Sequence, residues 1–119
     1  MSPARQVVGT LGEQAACAAL VDQGYRILHR NYRVRGGELD IVCERNGILV
    51  FCEVKTRTSA RFGLPEESVT IAKRRRLRKL ALEYLQREGR RARTLRFDVI
   101  SVALADGRVG ELRHLVNAF

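Results

Sequence analysis

Apolar and polar positions alternate most clearly between Gly37 and Lys55, GELDIVCERNGILVFCEVK. Two β-branched, apolar runs flank Asn46-Gly47. That dipeptide accepts φ > 0 at both central positions of a tight turn, so the stretch predicts an antiparallel hairpin. With a two-residue turn, Arg45 faces Ile48, Asp40 faces Glu53 and Glu38 faces Lys55. Asp40 and Glu53 then form a close, non-hydrogen-bonded pair with Cβ atoms about 4.5–5.5 Å apart. The period of two puts Leu39, Ile41, Cys43, Ile48, Val50, Cys52 and Val54 on one face, with Arg45 at the tip. The other face carries Val42, Leu49 and Phe51 near the tip, and Glu38, Asp40, Glu53 and Lys55 at the open end. A hairpin apolar on both faces is expected in the middle of a sheet covered on both sides.

The flanking pattern supplies the other elements. Arg5 to Gln23 reads as an Ala-rich helix closed by Gly24, with Glu13 on one stripe with Ala16, Cys17 and Leu20. Tyr25 to Val34 reads as a strand beside the hairpin, its basic side made by Arg26, His29, Arg30, Arg33 and Arg35. His29 reads as a surface or edge residue. Gly36-Gly37 turns the chain and permits close backbone approach. Residues 56–65 form a loop that leaves the strand directly after Lys55, beside the carboxylates. Thr70 caps a second helix that runs to Glu88 and ends at Gly89. Ile71, Leu77, Leu80, Ala81, Tyr84 and Leu85 make its expected buried stripe. Lys73, Arg74, Arg75, Arg76, Arg78 and Lys79 cover the rest of its first turns. Leu95 to Leu104 is a strand, and Asp106-Gly107 turns it into Val109 to Val116. Asp98 and His114 read as structural. The order αβββαββ predicts an α/β protein: a mixed five-stranded sheet flanked by helices.

Composition narrows the function class. A chain of 119 residues fits one domain with a real core. It has no apolar run of about 20 residues to span a membrane, and no basic-then-apolar secretory signal. Cys17, Cys43 and Cys52, without CxxC or zinc spacing, suit a reducing, cytoplasmic compartment. In the expected register Cys43 and Cys52 are diagonal neighbours, too far apart for an easy disulfide. The net charge of +9 sits entirely in residues 73–96, which hold 11 basic and 2 acidic residues. Such a block is the footprint of a nucleic-acid binder, or else a solvated helix face in a chain with 19 Arg and 3 Lys. Lysine is rare enough that Lys55 stands out, since an amine shifts its pKa where a guanidinium does not.

Two carboxylates facing each other destabilise a sheet unless a cation or a shared proton compensates. A rigid pair of oxygen ligands suits Mg²⁺ or Mn²⁺; a salt-bridge cluster of Glu38, Asp40, Glu53 and Lys55 is the other reading. Arg57 and Arg61 can grip phosphates as forks. The basic helix can hold phosphates without reading sequence.

Asp40 followed by Glu53-Val54-Lys55 resembles the PD-(D/E)xK signature of restriction-endonuclease-like nucleases. Gly36-Gly37-Glu38-Leu39-Asp40-Ile41-Val42, with Phe51-Cys52-Glu53-Val54-Lys55-Thr56, resembles the YraN-like family of small bacterial proteins. That family is similar in turn to archaeal Holliday-junction resolvases. The likeness runs from Gly9 to Phe119, with Leu39 where the superfamily usually has Pro. It implies a restriction-endonuclease-like core and a divalent-metal-dependent nuclease acting on DNA, including branched DNA. Asp40, Glu53 and the Val54 carbonyl are implied metal ligands, Glu13 a third carboxylate, and Lys55 the residue that orients water or stabilises phosphate charge. The resolvase likeness also implies a homodimer. Two other readings remain: a non-catalytic nucleic-acid-binding module using residues 73–96, and an adaptor that docks on an acidic protein.

Overall fold

The computed structural model of the chain describes residues 3–58, 70–91 and 94–119. Their elements run α1 (Pro3–Asp22), β1 (Arg26–Val34), β2 (Gly37–Arg45), β3 (Ile48–Arg57), α2 (Ile71–Glu88), β4 (Thr94–Ala105) and β5 (Arg108–Leu115). The five strands form one sheet in the order β1-β2-β3-β4-β5. All neighbours are antiparallel except β3 and β4, which run parallel through ten paired positions. A parallel pair needs a crossover, and α2 lies in that connection. The expected α/β architecture is therefore the observed one.

Local chemistry accounts for the punctuation. Asn46 and Gly47 both have positive φ (52° and 78°), as do Asp106 and Gly107 (52° and 72°). Each pair closes a tight hairpin whose twist matches its strands. The first turn sets the predicted register, from Arg45↔Ile48 to Ile41↔Cys52. Thr70 accepts the Lys73 N–H through its side chain, and Gly89 closes α2 in the left-handed conformation.

Each face of the sheet buries a cluster under one helix. Ala16 and Leu20 of α1 pack with Ile41, Cys43, Val50, Cys52, Ile100 and Val102. Leu77, Leu80, Ala81 and Tyr84 of α2 pack with Val42, Leu49 and Phe51. The central hairpin is thus covered on both sides, which its two apolar faces require. Ile71, expected in the α2 stripe, is 68% exposed instead. It stands six residues before Leu77, about 120° around the helix from that stripe at 100° per residue.

Alternation fails at one place on β2. Leu39 packs in the α2 cluster and Ile41 in the α1 cluster, although they are two residues apart. The pairs Arg30↔Ile41 and Tyr32↔Leu39 flank this point, and Asn31 between them has φ of 50°. A left-handed residue kinks an extended strand, so the regular two-face sorting stops here and Leu39 changes sides. The β2–β3 ladder also ends at Ile41↔Cys52, while β1–β2 pairing continues to Val34↔Gly37. Beyond Ile41, β2 stays with β1 and parts from β3, and the sheet forks.

Candidate functional site

The fork is where the sequence places its carboxylates. Asp40 and Glu53 stand one step past the last ladder pair, so they are not the regular cross-strand pair expected. Asp40 turns into the gap, and its Oδ2 accepts the Val54 N–H at 2.9 Å. In an intact ladder that N–H would bond to a backbone carbonyl of β2. An extended residue points its N–H and C=O to the same side, so the Val54 carbonyl also faces this gap. Glu38 does not face Lys55: it pairs with Arg33 on β1, 3.7 Å from its guanidinium.

Two acids meet at the fork, and a third, Glu13, acts on them through its charge without joining them as one ligand cluster. Asp40 is pushed up to about 7, first by burial and next by the charge of Glu53, with Glu13 adding to the effect. Glu13 is carried to this side of the sheet by close packing of α1 on β3. Gly12 is buried, and a Cβ on it would lie 1.9 Å from Thr56 Oγ1 and 3.0 Å from Thr56 Cβ. Only a glycine lets α1 approach β3 so closely.

Two lysines converge on one oxygen of Glu53. Lys73 Nζ lies 2.9 Å from Oε1 and Lys55 Nζ lies 3.5 Å from the same atom. The Glu53 side chain is 13% exposed, so these contacts are poorly screened by water. Burial, followed by the neighbouring Lys73, lowers the Lys55 pKa. For Lys73 burial opposes the charge, but the contacts with Lys55 and Glu53 outweigh it and raise its pKa. A cavity of about 220 Å³ opens here, lined by Glu38, Asp40, Glu53, Lys73, Arg76, Leu77 and Leu80. Its size admits a hydrated ion or a phosphate group.

The fork thus brings together Asp40 from β2 with Glu53, Val54 and Lys55 from β3, whereas Glu13 from α1 stands farther off. Asp40, Glu53 and the Val54 carbonyl are oxygen donors of the kind that could hold a hard divalent cation. An acid held near 7 by burial and by a neighbouring carboxylate is also a site where a cation gains most.

The basic residues divide by position. Lys73 is turned inward to Glu53, and Arg76 lines the cavity and packs against Gly37. Arg74 is half-buried, whereas Arg75, Arg78 and Lys79 are exposed. Arg78 sits over the Phe97 ring at 5.8 Å. Arg57 ends β3 past the fork. Arg61 and most of the 56–65 loop lie outside the described residues.

Lys73 is the site residue that sequence reasoning grouped with the outer basic face. Its position carried the signal, because it stands four residues before Leu77 and seven before Leu80, on the buried stripe. Two of the three lysines of the chain serve this one carboxylate.

A second polar cluster lies on the α1 face. Asp98 is fully buried; its oxygens accept from Arg96 Nε and Nη2, from the Asn117 N–H, and pair with His114 Nε2 at 2.7 Å. Cys52, Asp98 and His114 place ligand atoms within 4.8 Å of one another. The guanidinium occupies both carboxylate oxygens, so this cluster is a satisfied network, as expected for Asp98 and His114. Burial works against the Asp98 charge, but these partners hold its pKa below the usual value.

Comparison with known proteins agrees with the resemblance. The model of the uncharacterised protein family UPF0102 matches residues 12–102. A UPF0102 protein of Moorella thermoacetica is 52% identical over 120 residues, covering 100% of both chains. One from Trichlorobacter lovleyi is 50% identical over 115 residues, covering 96% of this chain and 91% of its own. One from Pelotomaculum thermopropionicum is 47% identical over 120 residues, covering 100% of both. With the motif residues gathered at one fork and relatives matching end to end, the chain belongs to the uncharacterised family UPF0102, the YraN-like proteins.

Proposed function

We propose that the fork is the active site of a divalent-metal-dependent nuclease of the PD-(D/E)xK type, acting on DNA. The observation that carries this reading is the meeting of Asp40, Glu53 and Lys55 where β2 leaves β3, beside an open cavity. Asp40, Glu53 and the Val54 carbonyl would hold Mg²⁺ or Mn²⁺, with Glu13 completing the shell. Such an ion would supply Lewis acidity and bring the pKa of its bound water down toward neutral. Lys55 stands where an amine can orient the attacking water or meet charge that develops on the phosphate. Its lowered pKa suits proton exchange better than an ordinary ammonium. The exposed Arg75, Arg78 and Lys79 would hold the duplex by its phosphates, without reading bases. Arg57 adds a fork close to the site. Branched DNA and a homodimer follow from the resolvase likeness alone, and free cysteines fit a cytoplasmic setting. Among the described residues no helix is long and apolar enough to cross a membrane.

The test is Mg²⁺- or Mn²⁺-dependent cleavage of branched, nicked and single-stranded DNA by wild type, Asp40→Ala and Lys55→Ala. Loss of cleavage in both variants supports the assignment. Equal activity in all three points to a contaminant and removes it.

One observation favours a second reading, a nucleic-acid-binding module without catalysis. Lys73 already neutralises Glu53, so the acids have a partner without any metal. Mn²⁺ calorimetry separates the two: no metal heat, with salt-sensitive DNA binding, selects the module.

A further inference from the structure

Glu53 Oε1 has two ammonium partners where a metal ligand needs an open lone pair. Lys55, at 3.5 Å, is the looser; Lys73, at 2.9 Å, is in direct contact. A dication bound to that carboxylate would stand beside the Lys73 ammonium at 2.9 Å from Oε1, and in this poorly solvated place the like charges repel strongly enough to favour the lysine's departure. Lys73 has somewhere to go. It stands in the first turn of α2, held by the Thr70 cap, on a flexible four-carbon stem. The cavity beside it is lined also by Arg76, three residues on and hence its neighbour on the helix surface. A phosphate in that cavity would meet both cations on one side and the carboxylates on the other.

We propose that Lys73 is a resident counter-cation that a divalent ion displaces from Glu53, and that the displaced ammonium then binds a substrate phosphate alongside Arg76. The inference rests on the metal-site reading above and gives α2 a part in it. Metal and phosphate binding become linked. The ion releases the lysine for the phosphate, and a bound phosphate draws the lysine off the carboxylate. Linkage is reciprocal, so each ligand raises the affinity for the other by the same factor.

The test uses the full chain and reads binding rather than turnover. Mn²⁺ is titrated calorimetrically into wild type, Lys73→Met and Arg75→Met. Methionine keeps the apolar stem of Lys73 and removes its charge; the Arg75 variant controls for the loss of one positive charge on the same helix. Lys73→Met should bind Mn²⁺ at least about fivefold more tightly than wild type, and more tightly than Arg75→Met. Lys73→Gln serves as a second variant should methionine impair folding. Anisotropy of a labelled DNA duplex then reads the other half. Ca²⁺ should strengthen duplex binding by wild type at least about fivefold, and by clearly less for Lys73→Met. Wild-type Mn²⁺ binding with no gain in either Lys73 variant overturns the displacement and leaves the metal site standing. No Mn²⁺ heat in any variant overturns both.

Discussion

Asp40→Asn isolates the charge that crowds the fork. Asparagine keeps the shape and the oxygen that accepts the Val54 N–H, and removes the ionisation. In the folded chain Asp40 is raised from 3.8 to about 7. A raised acid favours the folded state fully below pH 3.8, and that advantage is lost as pH rises through about 7. The ionised form is therefore an increasing burden on the fold from about pH 4 upward, level above 7. The shift of about three pKa units, at about 1.4 kcal/mol per unit, sets a ceiling of about 4 kcal/mol. Against wild type, the asparagine chain should gain under about 1 kcal/mol at pH 4 and about 2–4 kcal/mol at pH 8, the range allowing for local relaxation. Urea unfolding in the presence of a chelator, at pH 4, 6 and 8, reads the difference directly. A gain that is the same at pH 4 and pH 8, or absent at pH 8, refutes the crowding argument. Adding Mn²⁺ at pH 8 should stabilise wild type by mass action and leave the asparagine chain largely unmoved.

Other perturbations test the scaffold around the fork. Gly12→Ala should cost about 1–3 kcal/mol, because the added methyl meets the β-branched Thr56 and lifts α1 off β3; recovery of most of that loss on adding Thr56→Ala, by chemical denaturation, would identify the clash. Asp98→Asn should cost about 3–5 kcal/mol at pH 7 by removing the buried charge that the half-buried Arg96 pairs with. Because the Asp98 pKa is lowered, its contribution is present above 3.8 and lost as pH falls below it, so the two urea curves should converge in acid. Thr70→Ala should lower stability by about 1 kcal/mol through loss of the α2 cap, read as a shift in thermal midpoint.

Local rules carried far into this fold. Asn46-Gly47 determined a five-pair register correctly, because a two-residue turn leaves no freedom to slip. Thr70 and Gly89 bounded α2 at the right residues, because capping is a property of the nearest few positions. What failed was extrapolation of a regular ladder past Ile41↔Cys52. The left-handed Asn31 belongs to the neighbouring strand, so nothing in the hairpin sequence announced that Leu39 would change faces or that β2 would leave β3. The carboxylates nevertheless meet, by insertion of Asp40 into a gap rather than by pairing on one face. Lys73 was harder to place for a different reason. Charge on six of seven consecutive positions hides an inward-facing member, and only its spacing from Leu77 and Leu80 distinguishes it.

The hairpin carries its carboxylates at one end and a bare turn at the other. Four further ladder pairs separate Ile41↔Cys52 from the bend, a span of about 14 Å at about 3.4 Å per step, and a side chain on Gly47 would meet nothing within 4 Å. A dye or short peptide tag inserted at that bend would travel with the sheet yet stay clear of the acids, offering a handle for testing what binds at the opposite end.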